Sequence, residues 1–150
     1  MATGIGKRLR VNCNRWWSNT TPVSAPAAWY ASLHTGNPGD DGLTANEVTT
    51  TTSGYARQSI GTWTTTAYTS VSNDAACTVA NAAQMSFGAS AGANAAWGTI
   101  TYVGVWEHLS TATELVYLGR AAASVSQSVG GAGVTITIAT GALTLSLTSS

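Results

Sequence analysis

The sequence contains few charged residues, few cysteines and no long apolar run. Only 8% of its 150 residues are charged, whereas globular proteins average about 25%. Intrinsic disorder is not expected, because six tryptophans and five tyrosines supply apolar surface for burial without charge repulsion. No stretch reaches the roughly 18 consecutive apolar residues of a membrane span, and no apolar region follows the basic N-terminus as in a secretory signal. The composition therefore predicts one globular domain that lies outside the membrane.

The residue types of catalytic and metal sites are also scarce. Two cysteines, Cys13 and Cys77, allow at most one disulfide, so we expect buried, reduced thiols rather than a disulfide scaffold. The two histidines, His34 and His108, are predicted at solvated strand ends. No group of His, Cys or acidic residues has the spacing of a zinc or calcium site, and no Gly-x-Ser-x-Gly elbow accompanies the serines. The sequence predicts no catalytic residue, no metal ion and no cofactor.

Small and β-branched residues dominate what remains. Thr, Ser, Ala and Gly make up 81 of the 150 residues, a composition that favours strands over a helical bundle. Strands are predicted over residues 29–34, 55–60, 62–69, 83–87, 99–106, 115–118, 121–129, 134–138 and 143–147. Side chains of two kinds alternate along 29–34, 99–106, 121–129, 134–138 and 143–147, as in half-buried strands. Within 99–106, this alternation places Ile100 on the same face as Gly104 and Trp106. The predicted fold is all-β, an antiparallel β-sandwich or flattened barrel of about eight strands over residues 28–150.

Residues 1–27 have a different pattern. Apolar residues recur there at helical spacing, at Ile5, Leu9, Cys13 and Trp16. This stripe predicts a short helix with Thr3 as its N-cap, although Gly4 and Gly6 also allow an extended arm. Residues 18–27, with two prolines, are predicted to form a linker to the sandwich.

Charge is divided unevenly between these two parts. Four of the six basic residues lie within the first fifteen positions, which contain no acidic residue. From residue 16 onward there are two basic and six acidic residues, a formal balance of −4. A basic terminus that also carries tryptophans is typical of a docking segment. The predicted partner interface consists of Lys7, Arg8, Arg10, Arg15, Trp16 and Trp17. A protein partner is favoured over nucleic acid, because four positive charges are few for phosphate binding; the alternative for Trp16 is packing in the core of its own chain.

Several segments resemble one known family. They are Trp29–Gly42 (WYASLHTGNPGDDG), Glu47-Val48, Gly54–Gln58 (GYARQ), Trp97–Trp106 (WGTITYVGVW), Leu118-Gly119 and Ala139–Leu143 (ATGAL). Together they resemble small virion proteins of tailed bacteriophages, which are described as tail-fibre or head-decoration proteins. The resemblance covers residues 28–148, whereas the basic, Trp-bearing N-terminus departs from the family pattern.

The resemblance implies a non-enzymatic structural protein of a phage virion. The leading expectation is a capsid decoration (cement) protein that bridges capsid subunits on the head surface, after assembly in the host cytoplasm. Its expected partners are the major capsid protein and copies of itself in a symmetric homo-oligomer, such as a trimer. The alternative is a tail- or fibre-associated protein that contacts the host surface, which exposed loop tryptophans would favour and burial of most tryptophans would disfavour. A hydrolase on a sandwich scaffold is the third hypothesis.

Overall fold

A computed structural model describes residues 4–18, 26–40, 44, 46–48, 55–66, 77–88, 97–109, 117–122, 128–129 and 135–147. In this part of the chain there are twelve short strands and one helix, and every strand pairing is antiparallel. The predicted all-β, antiparallel class is therefore confirmed. No helix in the described ranges is long and apolar enough to cross a bilayer.

The helix and strands have the following bounds. They are β1 (Gly4–Ile5), α1 (Lys7–Ser18), β2 (Tyr30–His34), β3 (Gln58–Ser59), β4 (Trp63–Thr66), β5 (Cys77–Asn81), β6 (Met85–Phe87), β7 (Gly98–Thr99), β8 (Tyr102–Trp106), β9 (Tyr117–Ala122), β10 (Ser128–Val129), β11 (Ile136–Ile138) and β12 (Thr144–Leu147).

A five-stranded sheet in the order β1-β9-β8-β2-β3 is the largest unit of the described fold. Its two central strands pair over their full length, with Tyr30 opposite Trp106 and His34 opposite Tyr102. Strands β12-β5-β4 form a second sheet, while β11 pairs with β6 and β10 pairs with β7. The central sheet thus carries the N-terminal helix segment at one edge, through β1, and the segment around residue 58 at the other.

The main hydrophobic core lies against one face of this central sheet. Alternate residues of β2 and β8 supply that face, and they pack in one cluster with side chains of the β6–β11 pair. The residues concerned are Ala31, Leu33, Val103, Val105, Met85, Phe87 and Ile136. Two sheets that enclose one apolar layer are the sandwich arrangement that alternation predicts. Each fully buried Leu, Ile or Phe side chain here stabilises the fold by about 1.5–3 kcal/mol.

The strand predicted over residues 99–106 is broken in the structure. Strand β7 ends at Thr99 and β8 starts at Tyr102, and the backbone N–H of Thr101 between them donates to the carbonyl of His34. The break shifts the side-chain alternation, so Ile100 joins the core with Val103. Its predicted place on the face of Gly104 and Trp106 is therefore wrong.

The N-terminal segment forms both a strand and a helix. Ile5 belongs to β1, opposite Gly119, and α1 begins only at Lys7, so the predicted stripe does not start inside the helix. Cys13 is an exposed free thiol, so the prediction of a buried thiol is wrong at this position. Trp16 is exposed as well. Thr3, most of the predicted linker and parts of the strands predicted at 62–69, 115–118, 121–129 and 134–138 lie outside the described residues.

Candidate functional site

A buried polar cluster includes side chains on the second face of the central sheet and is joined to the hydrophobic core by Tyr55, whose ring stacks on Phe87. We define it as Ser32, His34, Glu47, Tyr55, Arg57 and Trp106. The indole Nε1–H of Trp106 donates to Ser32 Oγ at 2.6 Å, and Ser32 Oγ lies 2.7 Å from His34 Nε2. The indole can only donate, so Ser32 Oγ accepts from it, and the direction of the second hydrogen bond, between Ser32 Oγ and His34 Nε2, is set by the tautomer of the imidazole.

Gly104 makes the meeting of these three side chains possible. It lies opposite Ser32 in the pairing of β2 with β8. A Cβ atom at this position would lie 2.5 Å from Ser32 Oγ, 2.9 Å from His34 Nε2 and 3.0 Å from Trp106 Nε1. The missing side chain thus leaves the space that the hydrogen bonds occupy.

An ion pair forms the other half of the polar cluster. Arg57 Nε and Nη2 donate to Glu47 Oε1 and Oε2, each at 2.8 Å, and both side chains are almost fully buried. The guanidinium lies over the ring of Trp106, 3.7 Å from its centroid, and Nη1 donates to the carbonyl of His108 at 3.2 Å. A bidentate guanidinium–carboxylate pair is strong when it is desolvated and fully hydrogen-bonded. It fastens residues 47 and 57 to the end of β8.

Tyr55 connects this ion pair to strand β2. Its hydroxyl accepts from the backbone N–H of Leu33 at 2.9 Å and donates to Glu47 Oε1 at 3.1 Å. Burial, reinforced by the negative charge of Glu47, raises the pKa of Tyr55 far above its ordinary value. The phenol therefore stays neutral in the folded protein throughout the physiological range.

The polar cluster contains a Ser–His pair at the distance that nucleophilic catalysis requires. Ser32 and His34 are nevertheless both fully buried, and Trp106 donates to the hydroxyl that would have to attack. In the described part of the structure this hydroxyl is closed off from solvent, and the pair joins β2 to Trp106 by hydrogen bonds. The prediction that His34 is a solvated strand-end histidine is wrong, whereas His108 is exposed. Among the described residues no group of three His, Cys or acidic residues could hold a metal ion.

The structure divides the predicted partner interface into two groups. Arg8 forms an ion pair with Glu107, and Arg10 Nη1 lies 3.6 Å from Asp40 Oδ2, so both residues hold α1 against its own chain. Lys7 is the first residue of the helix.

The second group lies at the other end of α1. Arg15, Trp16 and Trp17 are exposed, with 71% of Trp16 and 84% of Trp17 accessible to solvent. The two indoles contact each other edge to face, with their centroids 6.1 Å apart. Packing of Trp16 in its own core is therefore excluded.

The other four tryptophans belong to the body of the fold. Trp97 and Trp106 are buried, and Trp29 and Trp63 are half-buried, packed against the core and edge to face with each other at 5.6 Å. Both highly exposed tryptophans thus lie on a helix and not in a loop. This distribution counts against a host-surface site built from loop tryptophans.

Sequence reasoning missed the polar cluster, although a signal was present. Glu47 and Arg57 are isolated charges in a long stretch that has few charged residues, and isolated charges of opposite sign are candidates for a buried pair. The segments that carry the resemblance to phage virion proteins supply every residue of the polar cluster.

Comparison with known proteins also indicates a phage virion protein. No curated protein matches the chain. A family model described as Podophage GP4 fiber I protein gp80 matches residues 7–146, a stretch that includes α1, both central strands and the whole polar cluster. This match confirms the resemblance to a phage virion protein family, and the description that it carries is that of a fibre protein. The chain belongs to the family of the podophage fiber I protein gp80.

Proposed function

We propose that this protein is a structural component of a tail fibre, or of the fibre's attachment, in the virion of a tailed phage. The family match over residues 7–146 carries the proposal, because the family is described as a fibre protein. The proposal replaces head decoration, the leading expectation from the sequence, with the fibre-associated alternative. The buried polar cluster supports a structural role, because its hydrogen bonds join segments that are distant along the chain and its serine hydroxyl is buried.

The physical features of the surface fit a protein that works inside an assembly. Only 8% of the residues are charged, so few full charges have to be desolvated or paired when the protein packs against a neighbour. The same features would suit a cement protein of the head. Location and copy number on the particle therefore separate the two proposals, and surface chemistry does not.

The proposed function is structural and not catalytic, and the description of the family as a fibre protein supports this. Ser32 and His34 are sealed from solvent, and the described residues hold no metal-binding group. An alanine substitution of the exposed His108 should leave infectivity and assembly unchanged. The backbone carbonyl of residue 108, which accepts a hydrogen bond from Arg57, is unchanged by this substitution.

The test is to locate and count the protein on purified virions. Quantitative mass spectrometry should give a copy number that is a small fraction of that of the major capsid protein, and immunogold labelling should mark the tail. A copy number close to that of the capsid protein, with label over the head, would overturn the fibre proposal in favour of decoration. Absence from the particle would overturn both structural proposals. Virions disrupted before labelling control for an epitope that is hidden in the intact assembly.

A further inference from the structure

The C-terminal part of α1 projects from the body of the protein. Gly6 is buried, and Arg8 and Asn12 are half-buried, whereas every residue from 13 to 18 is exposed. Six consecutive exposed residues cover more than one and a half helical turns, so each side of this stretch is largely open to solvent in the described structure. We call residues 13–18 the helix tip. Its largest side chains, Trp16 and Trp17, are 71% and 84% exposed.

The base of the helix, in contrast to the exposed tip, is bound to the body of the protein. Arg8 and Arg10 are held by Glu107 and Asp40 of the same chain. These two ion pairs connect the base of the helix to the body of the protein. They involve two of the four basic residues among the first fifteen. The helix tip, with Arg15 and the two indoles, remains directed outward. Trp and Arg are the residue types most enriched in protein–protein hot spots.

The distribution of charge along the sequence favours a second copy of this chain as the occupant. The first fifteen residues carry four basic residues and no acid, and the rest of the chain has a formal balance of −4. After the two internal ion pairs, the N-terminal segment keeps a formal charge of +2 and the body one of −2. Two copies of the chain are therefore complementary when the segment of one meets the body of the other.

We propose that the helix tip docks on the body of a second copy of this chain, with Trp16 and Trp17 as anchors and Arg15 paired with a carboxylate. This inference rests on the proposed function, because a fibre component has neighbours of its own kind. The contact is heterologous, since a tip-to-tip contact would bring Arg15 against Arg15 with no acidic residue before Asp40 to offset the repulsion. A heterologous contact repeats from copy to copy, as a ring or filament requires.

A lipid surface is the less favoured occupant. Each basic residue near an anionic surface contributes about 1 kcal/mol, and Arg8 and Arg10 already have partners in the chain. Two indoles on a tip of six residues also present less apolar surface than an interfacial helix does. We therefore do not expect the helix tip to bind lipid vesicles.

The first experiment measures self-association of the full chain by sedimentation velocity over a range of concentrations. We expect wild type to form assemblies larger than a monomer. Trp16→Ser and Trp17→Ser should each weaken association by about 30-fold or more, the change in Kd that corresponds to a hot-spot loss of 2 kcal/mol. Leu109→Ser is the matched control, because Leu109 is 49% exposed and lies outside α1. Circular dichroism checks that each variant keeps its secondary structure.

A mixing experiment tests the heterologous geometry. The double variant Trp16→Ser/Trp17→Ser lacks the tip but keeps the acceptor body, so it should join wild-type assemblies at one end and shorten them. A variant that stays out of wild-type assemblies would overturn the tip-to-body contact. Arg15→Glu should weaken association most at low salt, because screening already mutes exposed charges at high salt.

Three further results would overturn the proposal. They are a wild-type chain that stays monomeric at every concentration, association that the tryptophan variants do not change, and tip-dependent binding to phosphatidylglycerol vesicles without self-association. None of these results bears on where the protein lies in the virion. Failure here is thus distinguishable from failure of the fibre proposal, which copy number and labelling decide.

Discussion

Gly104→Ala is the smallest substitution that should break the buried polar cluster. The new methyl carbon would lie 2.5 Å from Ser32 Oγ and 2.9 Å from His34 Nε2, well inside van der Waals contact. Three hydrogen-bonding side chains meet at this point, and none of them can retreat without losing a partner. The variant therefore combines a steric clash with the loss of buried hydrogen bonds.

The size of the effect follows from these two contributions. An extra methyl group in a tightly packed site costs about 1–3 kcal/mol, and each buried polar atom left without a partner costs about 1–3 kcal/mol. Displacing Ser32 or Trp106 leaves at least one such atom. We expect Gly104→Ala to lower the free energy of unfolding by about 3–5 kcal/mol, a large share of the 5–15 kcal/mol of a typical domain.

Urea denaturation followed by circular dichroism measures this change. Gly88→Ala is the matched control, because a Cβ atom there meets nothing within 4 Å, and it should change stability by less than about 0.5 kcal/mol. Ser32→Ala removes the atom closest to the new methyl group, so Gly104→Ala should cost less in that background by about 0.5–3 kcal/mol. A Gly104→Ala variant as stable as the Gly88→Ala control would refute the steric reasoning.

Three further variants test other contacts. Asn81→Asp replaces an amide that donates to the carbonyls of Ala83 and Ala139 with a carboxylate that repels them. We expect a loss of about 3 kcal/mol at pH 7, which shrinks in acid as the carboxyl is protonated; a variant as stable as wild type would contradict this. Arg57→Lys keeps the charge but loses the bidentate pair and the stacking on an indole, and thermal denaturation should show a loss of about 2–4 kcal/mol, whereas an unchanged melting temperature would argue against the ion pair. The raised pKa of Tyr55 means that the folded state holds this proton more tightly than the unfolded state, whose pKa is about 10. The protonated Tyr55 therefore stabilises the fold fully below pH 10, and this stabilisation is lost as the pH rises above 10. In that range the free energy of unfolding of wild type should fall by up to about 1.4 kcal/mol per pH unit more than that of Tyr55→Phe. Equal pH dependence of unfolding in the two proteins would disprove the assignment.

The fold class was predictable because alternation of small, apolar and hydroxyl residues is a local signal. Strands β2, β8 and β12 all lie within predicted stretches for this reason. The break at residues 100–101 was not predictable, since Thr101 leaves the strand to bond with the carbonyl of His34, a contact that depends on how β2 and β8 come together. Strand β5 was missed because its pairing with β4 and β12 outweighs a weak local pattern.

In the candidate site, too, features set by neighbouring residues were predictable from the sequence, and contacts between distant residues were not. The helix and its exposed tryptophans could be proposed from residue types and spacing alone. The assignment of Arg8 and Arg10 to internal ion pairs could not, because Glu107 and Asp40 come from distant parts of the chain. His34 illustrates the limit most clearly: its position next to a loop predicts exposure, yet Ser32 and Trp106 enclose it.

Bonds between residues far apart along the chain also bear on how long the protein lasts. Ser32 and Trp106 are 74 residues apart, Arg57 and the carbonyl of His108 are 51 apart, and Asn81 and Ala139 are 58 apart. Such non-local contacts form late and slow the folding reaction, and contacts absent from the folding transition state slow unfolding when they are present in the native state. A virion spends its extracellular life without chaperones or resynthesis, so the unfolding rate sets the working lifetime of its parts. We therefore expect these long-range hydrogen bonds to slow unfolding as well as to raise equilibrium stability.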